Sequence, residues 1–312
     1  MVFDGETRAA LAVTRSLGRA GVDVQVLANT PTSLAGVSRY AAARTTLPDP
    51  NRTPDAFCAV LEELAAASGP AVWLPLTDAS LTLVSSIRDR LGEVVLPFPD
   101  AGALARAWDK WETLAAASEA GLATPDTILL DSREVVVQAE QRCRFPAVLK
   151  PRFSRWRAPD GSLRTGVVER VDRPEDLRAA WERLHAEIPS PLLQEFIPGG
   201  GMGVFALADR GRVVANFAHR RLREFPPSGG VSVLRESIEV PETLAKASAS
   251  LLASLEWHGV AMIEFRVDAR DGTPYVMEIN PRFWGSLQLA IDAGVDFPAL
   301  LYRMALGEAL GP

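Results

Sequence analysis

Two stretches near the C-terminus, Met262-Ile-Glu-Phe-Arg-Val267 and Tyr275-Val-Met-Glu-Ile-Asn-Pro-Arg282, carry the clearest fold signal in this chain. Each alternates along its length, which predicts a strand, and the Asp-Gly dipeptide between them predicts a hairpin turn. If the two strands pair antiparallel, Glu264, Glu278 and Asn280 converge on one side of the hairpin. Two carboxylates and an amide oxygen suit Mg²⁺, which keeps its other positions for phosphate oxygens. The competing interpretation is that both glutamates lie on a solvated face.

The residues upstream of this hairpin alternate between helical and strand-like patterns. In residues 1–108, strand-like runs fall at 1–3, 22–27, 71–76 and 93–98, and helical runs fall at 5–21, 55–67, 79–91 and 100–107. Such alternation predicts a parallel sheet with helices on its faces, so the fold class is α/β in this part and α+β beyond it. A polar loop from Arg152 to Arg164, between predicted strands at 146–151 and 165–171, concentrates positive charge.

Composition and missing motifs exclude several functions. The 312 residues carry 33 basic and 39 acidic side chains, which disfavours a nucleic-acid binder. No apolar run approaches the roughly 18 residues of a membrane span, and charges interrupt the first twelve residues, so we expect a cytoplasmic protein. Signatures of P-loop, serine-hydrolase and zincin sites are absent from the sequence. The glycines from Gly199 to Gly203 precede a strand, which favours a bend or bulge over a dinucleotide-binding loop.

Arginines mark two further places where anions could bind. Arg282 follows Asn280 by two residues and shares its face, where it would stabilise a transferring phosphoryl group. Several arginines surround Pro226-Pro-Ser-Gly-Gly230, which predicts a carboxylate-binding loop with Arg235 and Ser228 as its candidate contacts.

Several motifs occur in the order and approximate spacing of ATP-grasp enzymes: Lys110 in Asp109-Lys110, Lys150 at the end of Phe145-Pro-Ala-Val-Leu-Lys150, Leu193-Gln-Glu-Phe-Ile-Pro-Gly199 and Met277-Glu-Ile-Asn-Pro-Arg282. The chain therefore resembles the ATP-grasp superfamily over nearly its whole length. Residues 219–230 and 280–286 resemble its carbamoyl-phosphate-synthase-like branch of predicted ATP-dependent carboligases. The resemblance implies a Rossmann-like parallel-sheet lobe at 1–108, a small lobe with a lid at 109–194 and a mixed-sheet C-terminal lobe with the metal site at 195–312.

The resemblance also implies roles for individual residues. It places Lys110 and Lys150 on the phosphates of ATP, and Glu195, Phe196 and Ile197 at the adenine hinge. Mg²⁺, with Mn²⁺ as an alternative, would bind the glutamates and the asparagine of the hairpin. Two departures stand out, because glycines occupy the usual position of a ribose-binding acid and the lid loop holds four arginines in place of most of its usual glycines.

Members of this superfamily typically phosphorylate a carboxylate and let an amine attack the acyl phosphate. We therefore expect an ADP-forming carboxylate–amine ligase that acts on small-molecule substrates. We expect no nucleic-acid or membrane partner, and a homodimer is the candidate assembly. Two alternatives remain open. One is a ligase that activates bicarbonate, as carboxylases and carbamoyl-phosphate-type ligases do, and the other is a non-catalytic nucleotide-binding module.

Overall fold

The structure is a computed structural model and describes residues 1–186, 188, 190–225 and 230–310. Its helices are α1 (Arg8–Arg19), α2 (Pro54–Ser68), α3 (Asp78–Ser86), α4 (Ala101–Trp108), α5 (Lys110–Glu119), α6 (Arg133–Arg142), α7 (Pro174–His185), α8 (Glu242–Ser254), α9 (Leu287–Asp292) and α10 (Phe297–Ala305). Its strands are β1 (Val24–Ala28), β2 (Ala41–Thr46), β3 (Thr127–Leu129), β4 (Ala147–Lys150), β5 (Arg155–Arg157), β6 (Leu163–Thr165), β7 (Glu169–Val171), β8 (Leu192–Glu195), β9 (Gly199–Asp209), β10 (Arg212–Phe225), β11 (Val231–Ile238), β12 (Gly259–Asp268) and β13 (Pro274–Asn280).

Parallel pairing organises residues 1–108, which we call the N-terminal segment. β1 and β2 are parallel, and the very short first strand expected at 1–3 is reduced to Val2, which forms isolated parallel bridges to Val26 and Leu74. The runs at 71–76 and 93–98 contribute single bridges instead of full strands. Each of these runs contains a proline, and proline removes the N–H that would continue the ladder.

A five-stranded sheet, with strand order β11-β10-β9-β12-β13, forms the platform of the C-terminal part. Its four pairings are antiparallel, and an isolated parallel bridge joins Ala123 to Tyr275 of β13. The bend or bulge expected at the glycine cluster is wrong, because these residues begin β9 and pair regularly with β12. Glycine is needed there, since a Cβ on Gly199 would lie 1.9 Å from the carbonyl oxygen of Val267.

A four-stranded antiparallel sheet, ordered β3-β8-β4-β7, packs with α6 and α7. Between β4 and β7 the chain forms a small separate hairpin of β5 and β6. The sequence predicted a plain polar loop there. We call residues 155–165 the lid hairpin. It contacts the N-terminal segment, because the Leu163 N–H donates to the Asn51 carbonyl at 2.9 Å and Arg157 pairs with Asp55 at 2.7 Å.

Among the described residues, none of the helices has both the length and the apolar character that crossing a bilayer requires.

Candidate functional site

Two glutamates face each other across the predicted hairpin. The register of β12 and β13 places Glu264 directly opposite Glu278, and Asn280 opposite Met262. The antiparallel hairpin and the convergence of these side chains are therefore confirmed. The glutamate side chains are only 23% and 29% exposed, and they line a cleft of about 410 Å³, so the interpretation of a solvated face is wrong.

Cations and an amide compensate the charge of the two glutamates. Glu264 lies 2.8 Å from Arg221 Nη2, and Glu278 lies 3.6 Å from Lys110 Nζ and accepts from Asn280 Nδ2 at 3.0 Å. Burial and the neighbouring Glu278 raise the pKa of Glu264. Burial also acts to raise the pKa of Glu278, but Lys110, the Asn280 amide and Lys150 outweigh it and lower that pKa. Two carboxylates this close favour a bound cation.

The side-chain oxygens of Glu264, Glu278 and Asn280 fit Mg²⁺, provided that the Asn280 amide rotates. In the described part of the chain no cluster of three or more His, Cys, Asp and Glu side chains could hold a metal ion. A metal here would therefore need the Asn280 oxygen, water or phosphate besides the two glutamates. The Asn280 Nδ2 faces Glu278 and its Oδ1 accepts from Arg282 at 3.1 Å, so the amide would have to rotate before that oxygen joined Glu278 at a metal.

Lys150 ends β4 inside the same cleft, as its position after an apolar strand predicted. Its side chain is buried, and its Nζ donates to Gln194 Oε1 at 2.8 Å. Gln194 in turn donates to Thr127 at 2.9 Å, which fixes the amide orientation. Burial, reinforced by the nearby Lys110, lowers the pKa of Lys150 to about 8. The sequence did not single out Gln194, although it shares a strand with the predicted hinge.

Lys110 is the first residue of α5, and its Nζ donates to Ser154 at 2.6 Å. The helix is capped by Asp109, which accepts from two backbone N–H groups and pairs with Arg152 at 2.7 Å. A cation at a helix N-terminus is otherwise unfavourable, and here the charge of the capping Asp109 and the ion pair with Glu278 compensate that of Lys110. Arg152 is therefore engaged by the protein.

The other arginines near the lid hairpin also have protein partners. Arg157 pairs with Asp55, and Arg164 pairs with Asp160 at 3.1 Å. The sequence leaves two interpretations open for Arg157 and Arg164, contact with the phosphates of ATP in place of lid amides or a solvated basic loop. In the structure their charges are instead used to dock and shape the hairpin.

Glu195, Phe196 and Ile197 all line the cleft, as predicted for a hinge. Glu195 lies 3.3 Å from Arg270, and the Arg170 guanidinium stacks 4.5 Å from the centre of the Phe196 ring. The Ile197 carbonyl accepts from Arg266 at 3.1 Å and is therefore already engaged. Among the hinge carbonyls, that of Ile197 is for this reason a poor candidate for reading a purine.

Arg282 joins the hairpin to the N-terminal segment. The same Nη2 that bonds Asn280 lies 3.0 Å from Asp78 Oδ2, at the start of α3. The sequence missed Asp78. A signal existed, because Thr77 and Asp78 start a helix directly after a predicted parallel strand, at the sheet edge where ligands bind in open α/β sheets.

Arg235 lies opposite Arg221 in the pairing of β10 with β11, and the charge of Arg8 also acts on it. It donates to the Ser232 carbonyl at 3.2 Å, and burial together with Arg8 and Arg221 lowers its pKa. In the part of the chain that the structure describes, neither Arg8 nor Arg235 has a carboxylate within ion-pair distance, unlike Arg221. This pair is therefore suited to an external anion, and Arg8 was missed by the sequence. Ser228, the other candidate contact, lies outside the described residues.

A model of the family described as ATP-grasp in the biosynthetic pathway with Ter operon matches residues 187–311. The D-alanine–D-alanine ligase of Nitrosomonas europaea is 31% identical over 116 residues, which cover 36% of this chain and 35% of that ligase. The D-alanine–D-alanine ligase of Pelotomaculum thermopropionicum is 25% identical over 249 residues, which cover 70% of this chain and 74% of that ligase. The chain thus spans about a third of one curated relative and about three quarters of the other.

Two solved structures show the same fold at low identity. The L-amino acid ligase from Bacillus licheniformis superposes with a TM-score of 0.70 at 19% identity, covering 97% of this chain and 73% of its own. The biotin carboxylase domain of the Hydrogenobacter thermophilus 2-oxoglutarate carboxylase, solved with MgADP, ADP and bicarbonate, gives 0.78 at 16% identity, covering 99% of this chain and 70% of its own. Together these matches show that the chain has the ATP-grasp fold and is similar to ATP-grasp ligases.

Proposed function

We propose that this protein is an ADP-forming ligase that activates a carboxylate as an acyl phosphate for attack by an amine. The observation that carries the proposal is the pair of directly opposed glutamates, Glu264 and Glu278, with Lys110 and Lys150 lining the same cleft. This arrangement suits a polyphosphate with its metal. The similarity to D-alanine–D-alanine ligases and to an L-amino acid ligase supports the carbon–nitrogen bond as the product.

The cleft would bind Mg²⁺–ATP through residues of three kinds. Glu264, Glu278 and a rotated Asn280 would hold Mg²⁺, which neutralises phosphate charge when bound. Lys110 and Lys150 would contact the phosphates as point charges. The hinge residues 195–197 would contact the adenine. In this proposal residues 1–108, 109–194 and 195–312 form the three lobes, with ATP between the last two.

The acid would lie near Arg282, with Arg8 and Arg235 orienting its carboxylate. A carboxylate oxygen attacks the γ-phosphorus, a new O–P bond forms, and the bond between the γ-phosphorus and the bridging oxygen breaks to release ADP. Arg282 would stabilise the charge on the transferred group. The amine, after loss of a proton, then attacks the acyl carbon. The C–O bond breaks, phosphate leaves with the former carboxylate oxygen, and a second proton is lost from nitrogen to give the amide.

ADP release with paired panels of acids and amines tests this proposal. We expect release to require Mg²⁺ and to rise only when both an acid and an amine are present. Glu278→Gln should lose at least tenfold in rate, whereas the matched surface variant Glu242→Gln, in an exposed helical turn, should keep the wild-type rate. Stimulation by bicarbonate alone would favour the carboxylating alternative, and ATP binding without any turnover would favour the non-catalytic one.

A further inference from the structure

A second cavity, of about 760 Å³, lies between the N-terminal segment and the lid hairpin, outside the cleft that contains the glutamates. Its volume is in the usual range for sites that bind small molecules. Its apolar walls are formed by Ala59, Leu83, Ile87, Trp108, Trp156 and Leu163. No role for this cavity follows from the nucleotide-binding residues already described.

One end of this cavity reaches the residues proposed to handle the phosphoryl group. Asp78 and Ser154 both line the cavity. Asp78 contacts Arg282 at 3.0 Å, and Ser154 accepts from Lys110 at 2.6 Å. A molecule in the cavity would therefore have one end beside the acyl phosphate, with its body between the aromatic walls.

The charges around the cavity differ between its rim and this end. At the rim, Arg90 pairs with Glu62 at 2.7 Å and Arg157 pairs with Asp55 at 2.7 Å, so these four charges compensate one another. Such exposed pairs contribute little to ligand binding. Selectivity for charge must therefore come from the residues at the reacting end.

Two charged residues at the reacting end keep unused hydrogen-bonding capacity. Asp78 bonds Arg282 through Oδ2 and, as a carboxylate, can accept further hydrogen bonds on Oδ1. The half-buried Arg155 donates from Nη1 to Asn51 at 2.6 Å, which leaves other N–H donors of its guanidinium. Asp78 and Arg155 both line this cavity, and Asp78 lies 3.0 Å from Arg282.

We propose that this cavity binds the nucleophile, and that the nucleophile is an α-amino acid with a large apolar side chain. Asp78 binds its ammonium, Arg155 binds its carboxylate, and the apolar walls hold its side chain. This inference rests on the proposed ligase function and names the substrate class for it. The acid that becomes the acyl phosphate has its own site at Arg8 and Arg235.

Four probes, each compared by calorimetric titration of the full chain, test the assignment. They are L-phenylalanine, phenethylamine (which lacks the carboxylate), 3-phenylpropionate (which lacks the ammonium) and glycine (which lacks the side chain). We expect phenylalanine to bind most tightly and each of the other three to bind at least tenfold more weakly. Binding of 3-phenylpropionate as tight as that of phenylalanine would overturn the assignment of Asp78 to an ammonium.

A cavity-filling variant locates the binding site. Ala59→Phe adds a ring to the cavity wall from an exposed position of α2, and it should weaken phenylalanine binding at least tenfold. Ala66→Phe makes the same change at an exposed position of α2 outside the wall, and it should bind phenylalanine as the wild type does. Thermal unfolding of both variants checks their folding. Equal affinities of both variants would overturn the proposal.

The proposed function and the proposed site can fail separately. Phenylalanine binding that is lost in Ala59→Phe, with no acid able to support turnover, would contradict the ligase function and support the site. Turnover with phenylalanine that is unaffected by Ala59→Phe would support the ligase function and contradict the site.

Discussion

Replacing Lys150 with methionine should make the nucleotide-free protein more stable near neutral pH while weakening nucleotide binding. Burial lowers the pKa of Lys150 from 10.5 to about 8, which corresponds to a cost of about 3 kcal/mol for keeping the folded protein protonated at this residue. Methionine removes that cost but leaves Gln194 without its partner, at about 1 to 2 kcal/mol. The variant should therefore gain about 1 to 2 kcal/mol at pH 7.

The gain should disappear as the pH rises. Between about pH 8 and 10.5 the unfolded wild type binds a proton at Lys150 that the folded state does not bind, so the free energy of unfolding of the wild type increases with pH in this window. The methionine variant has no group that titrates at this position. Its stability advantage should shrink above pH 8 and reverse by about pH 10.

Nucleotide binding should change in the opposite direction. A buried ammonium on a phosphate contributes about 1.5 to 3 kcal/mol, so the Kd for Mg²⁺–ADP should rise by roughly 10- to 100-fold in Lys150→Met. Lys246→Met is the matched control, because Lys246 is exposed and pairs with Glu242 across one helical turn. Its stability and its Kd should stay near the wild-type values.

Urea unfolding followed by tryptophan fluorescence at pH 7, 8, 9 and 10, with calorimetric titration of Mg²⁺–ADP, gives both quantities. A methionine variant that is less stable than the wild type at pH 7 would refute the cost of burying this charge. An unchanged Kd for Mg²⁺–ADP would refute the phosphate contact.

Three further predictions concern the metal pair, the anion site and the lid hairpin. Glu264→Gln and Glu278→Gln should each lower Mg²⁺-dependent turnover at least tenfold and raise the Mg²⁺ concentration needed for half the maximal rate. Each substitution removes one charged ligand at nearly constant side-chain size. Unchanged turnover in both variants would refute the metal assignment. Arg8→Ala and Arg235→Ala should raise the KM for the acid about tenfold or more while the Kd for Mg²⁺–ADP stays within twofold, and an equal loss for acid and nucleotide would contradict a separate acid site. Asn51→Ala removes the side-chain acceptor of Arg155, so hydrogen exchange of residues 155–165 should be faster than in the wild type. Binding of Mg²⁺ with a nonhydrolysable ATP analogue should slow this exchange, because the hairpin would close over the nucleotide. Equal exchange in the variant, the free wild type and the nucleotide-bound wild type would refute both the docking contact and this closure.

Much of the hairpin of β12 and β13 could be predicted from the sequence because its geometry is local. A period of two residues and an Asp-Gly turn determine which side chains share a face, so the opposition of Glu264 and Glu278 follows from pairing alone. Lys150 was predictable for the same reason, since it is the last residue of an otherwise apolar strand.

The parts that could not be predicted depend on contacts between distant segments. Asp78 meets Arg282 only after the N-terminal segment packs against the C-terminal sheet. Arg221 reaches Glu264 across β9, where Gly201 leaves room: a Cβ there would lie 2.5 Å from the Arg221 side chain. Nothing in the local pattern of these residues indicates such partners.

The secondary structure was missed where the chain is polar or short. The edge strand β11 alternates poorly, and its apolar residues Val233 and Leu234 are exposed, so hydrophobic periodicity does not report it. The lid hairpin has strands of three residues each, too short to show a period. Its position is determined by contacts of Arg155 with Asn51 and of Arg157 with Asp55, which are 104 and 102 residues apart in the sequence.

The fate of the carboxylate oxygen tests the acyl phosphate mechanism most directly. Once an acid and an amine that support turnover are found, the acid is supplied with ¹⁸O in its carboxylate and the released phosphate is analysed by mass spectrometry. Attack of that carboxylate on the γ-phosphorus predicts ADP and phosphate carrying one ¹⁸O for each amide formed. Release of AMP and pyrophosphate, or unlabelled phosphate alongside the amide, would contradict the mechanism.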